Sequence, residues 1–190
     1  KNYQEALTRA FRRIESNEII SSWKDAMSSG TLNANISDFI NVPSYGCFID
    51  QRALEYEDFQ VTVNKIWRIG GRNGWYYGNW LWQFRGFLDR MSGGVGLRRG
   101  RTNENELNAG DAVDFWRVLY ANKKEGRLLL FAEMKLPGEA WLEFRMKNNK
   151  LVQTATFRPV GVMGRLYWFM VYPFHGFIFK GMLANLSSAN

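Results

Sequence analysis

The chain has 190 residues, enough for one well-buried core, and its 46% hydrophobic and 23% charged content is ordinary globular usage that excludes wholesale disorder and fibrous repeats. A formal charge of +7 admits nucleic acid, anionic lipid or an acidic ligand as partner. The one dense basic cluster, Arg98, Arg99 and Arg101, sits among glycines rather than along a helix that could enter a groove, so no nucleic acid is expected.

Residues 3–16 place Leu7, Ala10, Phe11 and Ile14 on one stripe, the spacing of an amphipathic helix. Ser21 to Tyr45 is rich in Ser and Asn and contains Gly30 and Pro43, which reads as a connector. The boundary divides the chain into an N-terminal helix and connector, 1–42, and a domain, 43–190. There is no apolar leader, and the start at Lys1 reads as a piece of a longer protein. The single cysteine, Cys47, excludes an intramolecular disulfide framework and points to a cytoplasmic setting.

Phe48 to Tyr56 alternates as a first strand, and a helix follows with Val63, Ile66, Trp67 and Ile69, stopped by Gly70, Gly71 and Gly74. A second helix is predicted from Asn79 through Leu81, Phe84, Phe87, Leu88 and Met91 to Gly93 and Gly94. After a polar loop to Asp111, four strand-like runs follow: Ala112 to Tyr120, Arg127 to Leu136, Ala140 to Lys147, and Leu151 to Arg158. Their turns at 122–126, 137–138 and 148–149 make an antiparallel meander. In the second run, Leu128, Leu130, Ala132, Met134 and Leu136 form an apolar row against a mixed row of Leu129, Phe131, Glu133 and Lys135. The third run splits Leu142, Phe144 and Met146 from Trp141, Glu143, Arg145 and Lys147.

The last segment, Val162 to Leu186, predicts a long terminal helix with a kink or break at Pro173. Its most apolar part, 166–179, is interrupted by Pro173, His175 and Gly176 and falls short of the roughly 20 residues a spanning helix needs. Flanking Arg165 and Lys180 also fit a helix lying on a membrane surface. A core helix packed on a sheet explains the same pattern and is the preferred reading. The order strand, two helices, antiparallel strands, long helix predicts an α+β fold in which a curved antiparallel sheet wraps around the C-terminal helix and leaves a cavity. An aromatic content of 16%, with eight Trp, suits such a cavity or an interface. Neither a GxGxxG sequence nor a long βαβ alternation occurs, so the chain itself holds no dinucleotide fold.

Four blocks carry a resemblance: GGRNGWYYGNWLWQFRGFLDRMSGGVGLRRGR (Gly70 to Arg101), DFWRV (Asp114 to Val118), AEMKLPGEAWLEF (Ala132 to Phe144) and QTATFRPVGVMGRLYWFMVYPFHGFIFKGM (Gln153 to Met182). The chain from about Val42 onward resembles an uncharacterised domain family found at the C-terminal end of atypical short-chain dehydrogenase-like, NAD(P)-binding proteins. That family is similar in outline to the START-like (SRPBCC, helix-grip) superfamily. The resemblance implies a domain that holds a hydrophobic small molecule between sheet and helix. It also implies a missing N-terminal nucleotide-binding domain as neighbour, whose closing helix and exit segment residues 1–30 resemble. NAD(P) would belong to that domain, and no cofactor is expected in this chain.

Chemistry-bearing residues are few. His175 is the sole histidine, so two-histidine relays and histidine-rich metal sites are excluded and no metal is expected. In a helix-grip cavity it would offer a ligand one donor or acceptor. Glu133 and Glu143 share the mixed rows and could meet across the ladder as an acid/base pair, or form a solvated face. Trp116, Phe131 and Trp141 fall on adjacent strands and could form one aromatic wall, with Tyr172 and His175 facing it from the helix. Asp114 and Arg117 read as an ion pair or as hydrogen-bonding structural elements rather than as a site. The Arg98 to Arg101 loop could offer guanidinium groups to an anion, but it lacks the Lys-Ser/Thr ending of a P-loop. Cys47 has no nearby histidine and no serine sits in a nucleophile elbow. Three readings compete: a hydrophobic-ligand module, an acid/base enzyme in the same cavity, and an interdomain or oligomerisation module. The third predicts little internal volume and a large exposed apolar patch.

Overall fold

A computed structural model describes residues 40–80, 101 and 103–189. The helix predicted at 3–16, most of the connector, the helix predicted from Asn79 beyond Trp80, and Arg98 and Arg99 lie outside the described residues. In chain order the elements are β1 (Phe48–Glu55), α1 (Phe59–Ile66), a short 3-10 turn (Gly71–Asn73), β2 (Ala112–Val113), β3 (Trp116–Asn122), β4 (Arg127–Ala132), β5 (Gly138–Lys147), β6 (Lys150–Pro159) and α2 (Gly161–Ser187). The strands form one antiparallel sheet in the order β1-β6-β5-β4-β3-β2. The meander β2 to β6 is local pairing, and β1 adds at the far edge by joining β6 in full register from Phe48 opposite Phe157 to Glu55 opposite Lys150. The sheet is therefore open, and α2 turns back at Val160 and Gly161 to lie across β6 and β1.

Local chemistry sets these elements. Asp58 caps α1 by accepting from the Val61 amide at 2.8 Å. Lys65 in its last turn donates to Asn185 O at 3.0 Å and Ser188 O at 2.9 Å, a cation on the orphan carbonyls that end α2. The two-row reading of the strands holds: Leu128, Leu130, Leu142 and Phe144 pack in the main core with α1 and α2. Leu119, Leu129, Phe131 and Trp141 form a second buried cluster on the opposite face. Gly164 lets α2 start this close to the sheet, because a Cβ there would stand 2.3 Å from Pro137 O.

Three boundaries differ from the sequence reading. The run Ala112 to Tyr120 breaks after Val113, where Asp114 adopts a φ of 54°. Its carboxylate accepts from Trp75 Nε1 at 2.8 Å and from the Gly71 amide at 3.4 Å rather than pairing with Arg117. The run from Arg127 leaves the ladder after Ala132, because Glu133 N turns to Phe115 O at 2.9 Å across that break. Helix α2 continues through Pro173, an exposed position, so the ring and the Phe169 carbonyl it deprives of a donor lie on the outward side where water can reach them.

Asp114 makes stability depend on pH. Burial raises its carboxyl above the ordinary value, against the hydrogen bonds from Trp75 and Gly71 and the charge of Arg101. A carboxyl raised in the folded state contributes stability that is fully present below the unfolded value and lost as pH rises through the folded one. Urea unfolding of the wild type and Asp114→Asn from about pH 3 to about pH 7 should therefore show the wild type losing ground as pH rises. A difference independent of pH would refute this assignment.

Candidate functional site

The inner row of the sheet and α2 between Tyr167 and Phe179 line a partly open cavity of about 50 Å³. Trp116 walls it from β3, Leu142 from β5, Ala155 and Phe157 from β6, and Trp168 and His175 from α2. The two helical residues are seven apart, two turns on one face, and Phe179 continues the stripe beneath. Trp168 lies parallel to two rings, Phe48 at 5.4 Å and Phe157 at 5.9 Å, and meets His175 edge-on at 5.3 Å. His175 in turn stacks on Phe179 at 4.6 Å. This column of rings fixes the helix over β1 and β6. The volume exceeds the roughly 10–15 Å³ that one water occupies and falls far below the roughly 300–1,000 Å³ of most ligand pockets. As it stands the cavity holds a few waters or one compact group, and anything larger must extend through its open side or displace a ring.

The walls are apolar apart from a few groups. The Trp116 indole N–H is buried and makes no hydrogen bond to any described residue. His175 Nδ1 stands 3.9 Å from Asp50 Oδ2 on β1. Asp50 is clamped by Arg52, whose Nε and one terminal nitrogen reach its two oxygens at 3.0 and 3.1 Å, and Arg52 also donates to Gly176 O at 3.4 Å. One row along, opposite Arg52 and Phe144, Gln153 is fully buried with an amide that bonds no described residue. An acidic residue in β1 signals this cluster in the sequence only through period two, since Phe48, Asp50 and Arg52 must share a face.

Of the seven residues singled out above, the structure brings Trp116, Trp141 and His175 to the cavity. Trp141 borders it from the backbone side, because its ring packs edge-on against Phe131 at 5.4 Å on the opposite face of the sheet. The single aromatic wall is therefore not formed: Trp116 pairs with Ala132 and Trp141 with Phe131, and adjacent positions on β4 point to opposite faces. Tyr172 packs on Trp168 at 5.7 Å but is half exposed beside the helix. Glu133 and Glu143 do not meet. Glu143 stands opposite Leu129, four residues along the strand from position 133, roughly 13 Å away. Each is held by an arginine on the face away from the helix: Glu133 by Arg117 at 3.0 Å and Glu143 by Arg127 at 2.7 Å.

The basic loop also has a different role at its end. Arg101 donates to Ile69 O at 2.6 Å and to Trp67 O at 2.7 Å, bracing the exit of α1 rather than offering itself to an anion. Burial raises the Cys47 thiol, with Arg158 opposing, which suits an unreactive side chain. A second hollow of about 340 Å³ on the outer face, around Gln51, Glu143, Arg145 and Thr154, is polar and water-facing. The residues sequence reasoning missed, Trp168 and Phe179, stood at helical spacing from His175; Tyr172 shares that spacing and sits at the half-exposed edge of the stripe, against Trp168.

These features define an α+β protein in which an open antiparallel sheet and a long C-terminal helix flank a small, partly open, aromatic-lined cavity. The chain belongs to the protein family of unknown function DUF2867, whose model matches residues 46–182. No curated protein matches the chain.

Proposed function

We propose that this chain is a START-like, helix-grip module that binds a small hydrophobic molecule between its sheet and α2. In the longer protein it would accompany an NAD(P)-binding, short-chain dehydrogenase-like domain. The observation that carries the reading is the mostly apolar hollow between sheet and α2, lined by Trp116, Leu142, Phe157, Trp168 and His175, beside which the Trp116 N–H lies buried without a hydrogen bond to any described residue. A buried donor left unmade costs about 1–3 kcal/mol, and a carbonyl or ether oxygen of a ligand would recover it. The element order and the placement of α2 across β6 and β1 agree with a helix-grip architecture. His175, steadied by Asp50, would be the second polar contact. The acid/base alternative has no support in the geometry, because both glutamates are ion-paired on the other face of the sheet. The interdomain or oligomerisation reading is the second one the observations favour, through the small volume of the hollow and the exposed apolar side of α2.

Native mass spectrometry of the purified protein, followed by denaturing extraction, tests the proposal. A stoichiometric apolar species is expected. Protein with no bound species and no thermal shift across a panel of lipids and aromatic ketones would reject it. With acetophenone as probe, Trp116→Phe is expected to weaken binding about two- to tenfold, the worth of one neutral hydrogen bond. Equal affinity in the two proteins would remove Trp116 from the site.

A further inference from the structure

Helix α2 is apolar on both sides. Its inner stripe, including Gly164, Trp168, Phe179 and Met182, is buried against the sheet. Its outer stripe carries Val162, Leu166, Phe169, Met170, Phe174 and Phe177, each more than half exposed. Spacings of three and four put these six on one face of about 24 Å length. A helix hydrophobic all round is ordinarily buried on all sides, and an outward apolar stripe of this length is far from the scattered singles a soluble surface tolerates.

The chemistry of the stripe says what covers it. It presents no side-chain donor or acceptor, whereas protein interfaces carry about one hydrogen bond per 100–200 Å². Hydrocarbon asks for none. The charged residues of α2 are Arg165 and Lys180, with no carboxylate anywhere in the helix, and the whole chain is +7. Cations flanking an apolar face complement anionic headgroups. No helix among the described residues is long and apolar enough to cross a membrane. A helix lying in the headgroup region also keeps water and headgroups near the Phe169 carbonyl that Pro173 leaves without its donor.

We propose that the outward face of α2, from Val162 to Phe177, docks this protein on an anionic membrane surface, with Arg165 and Lys180 at the headgroups. The test is flotation of the full chain with vesicles of phosphatidylglycerol mixed into phosphatidylcholine, against phosphatidylcholine alone. Binding to the mixed vesicles is expected, weaker on neutral vesicles and in high salt. Phe169→Ser with Phe174→Ser should lower partitioning roughly a hundredfold while leaving the circular dichroism melt in place, since both rings are exposed. Should that variant melt early, Arg165→Gln with Lys180→Gln leaves the apolar face intact and should lower binding to the anionic vesicles roughly tenfold or more. Wild-type protein that stays off the mixed vesicles, or well-folded Phe variants that float equally well, would overturn the proposal. So would a wild-type dimer in light scattering that the Phe variants dissolve without any vesicle binding, which would make the face a self-association surface.

Discussion

Glu133→Ala lowers the unfolding free energy by about 3–5 kcal/mol, the cost of leaving a buried guanidinium without its carboxylate. Arg117 reaches Glu133 with two parallel bonds, Nε to Oε1 at 3.0 Å and a terminal nitrogen to Oε2 at 3.2 Å, and both residues are 1% exposed. The remaining terminal nitrogen donates to Gly110 O at 2.7 Å, so Arg117 also holds the loop ahead of β2. The pair lies on the face of Leu119, Leu129, Phe131 and Trp141, whose apolar surroundings make an unpaired charge expensive. The double replacement Arg117→Met with Glu133→Leu is expected to regain most of the loss, because it removes both charges and keeps the volume. Urea unfolding of the four proteins of the cycle decides the matter. A single replacement costing under about 1 kcal/mol, or a double as unstable as the sum of its parts, would show that the pair is not the buried unit its geometry describes. The bidentate arginine also means that Glu133 is committed to structure, which is why it is unsuited to exchange protons with a ligand.

Much of the fold was legible because period and punctuation agree over β4 to β6. Leu128, Leu130, Leu142 and Phe144 could be assigned to the inner face without coordinates, and the turns at 137–138 and 148–149 fixed the hairpins. The failures trace to what alternation cannot say. It gives the face of each residue but not the register between strands, so Glu133 and Glu143 looked like neighbours until Phe131 was found opposite Trp141. It also treats Trp116 and Phe131 as adjacent because their strands are, although adjacent positions on β4 pair them to opposite faces. The break at Asp114 is a tertiary event, set by the distant indole of Trp75, and no local pattern announces it. Of the kink or break expected at Pro173, the break does not occur: the helix runs on through an exposed position, where water can replace the lost donor. The polar group around Asp50 was hidden because a charged residue in a short edge strand ordinarily faces water.

Trp168→Ala costs about 3–5 kcal/mol and leaves a void next to the existing one. The ring is 6% exposed, lies parallel to Phe48 and Phe157, and meets His175 edge-on, so three rings lose a partner at once. The void would join a cavity of about 50 Å³ whose lining is mostly apolar, and an apolar void stays dry and accepts a flat apolar guest. Indole, the missing side chain less its methylene, should therefore raise the melting temperature of the variant in a concentration-dependent way and by more than that of the wild type, where a ring must first give way to admit it. That contrast also measures how tightly α2 is held. If indole stabilises the wild type as much as the variant, the wild-type helix already lifts enough to admit an aromatic ring, and the small resting volume is no limit on what the cavity takes. If indole stabilises neither, the loss of Trp168 has been absorbed by collapse of α2 onto β6, and the ring column rather than the sheet is what keeps the cavity open.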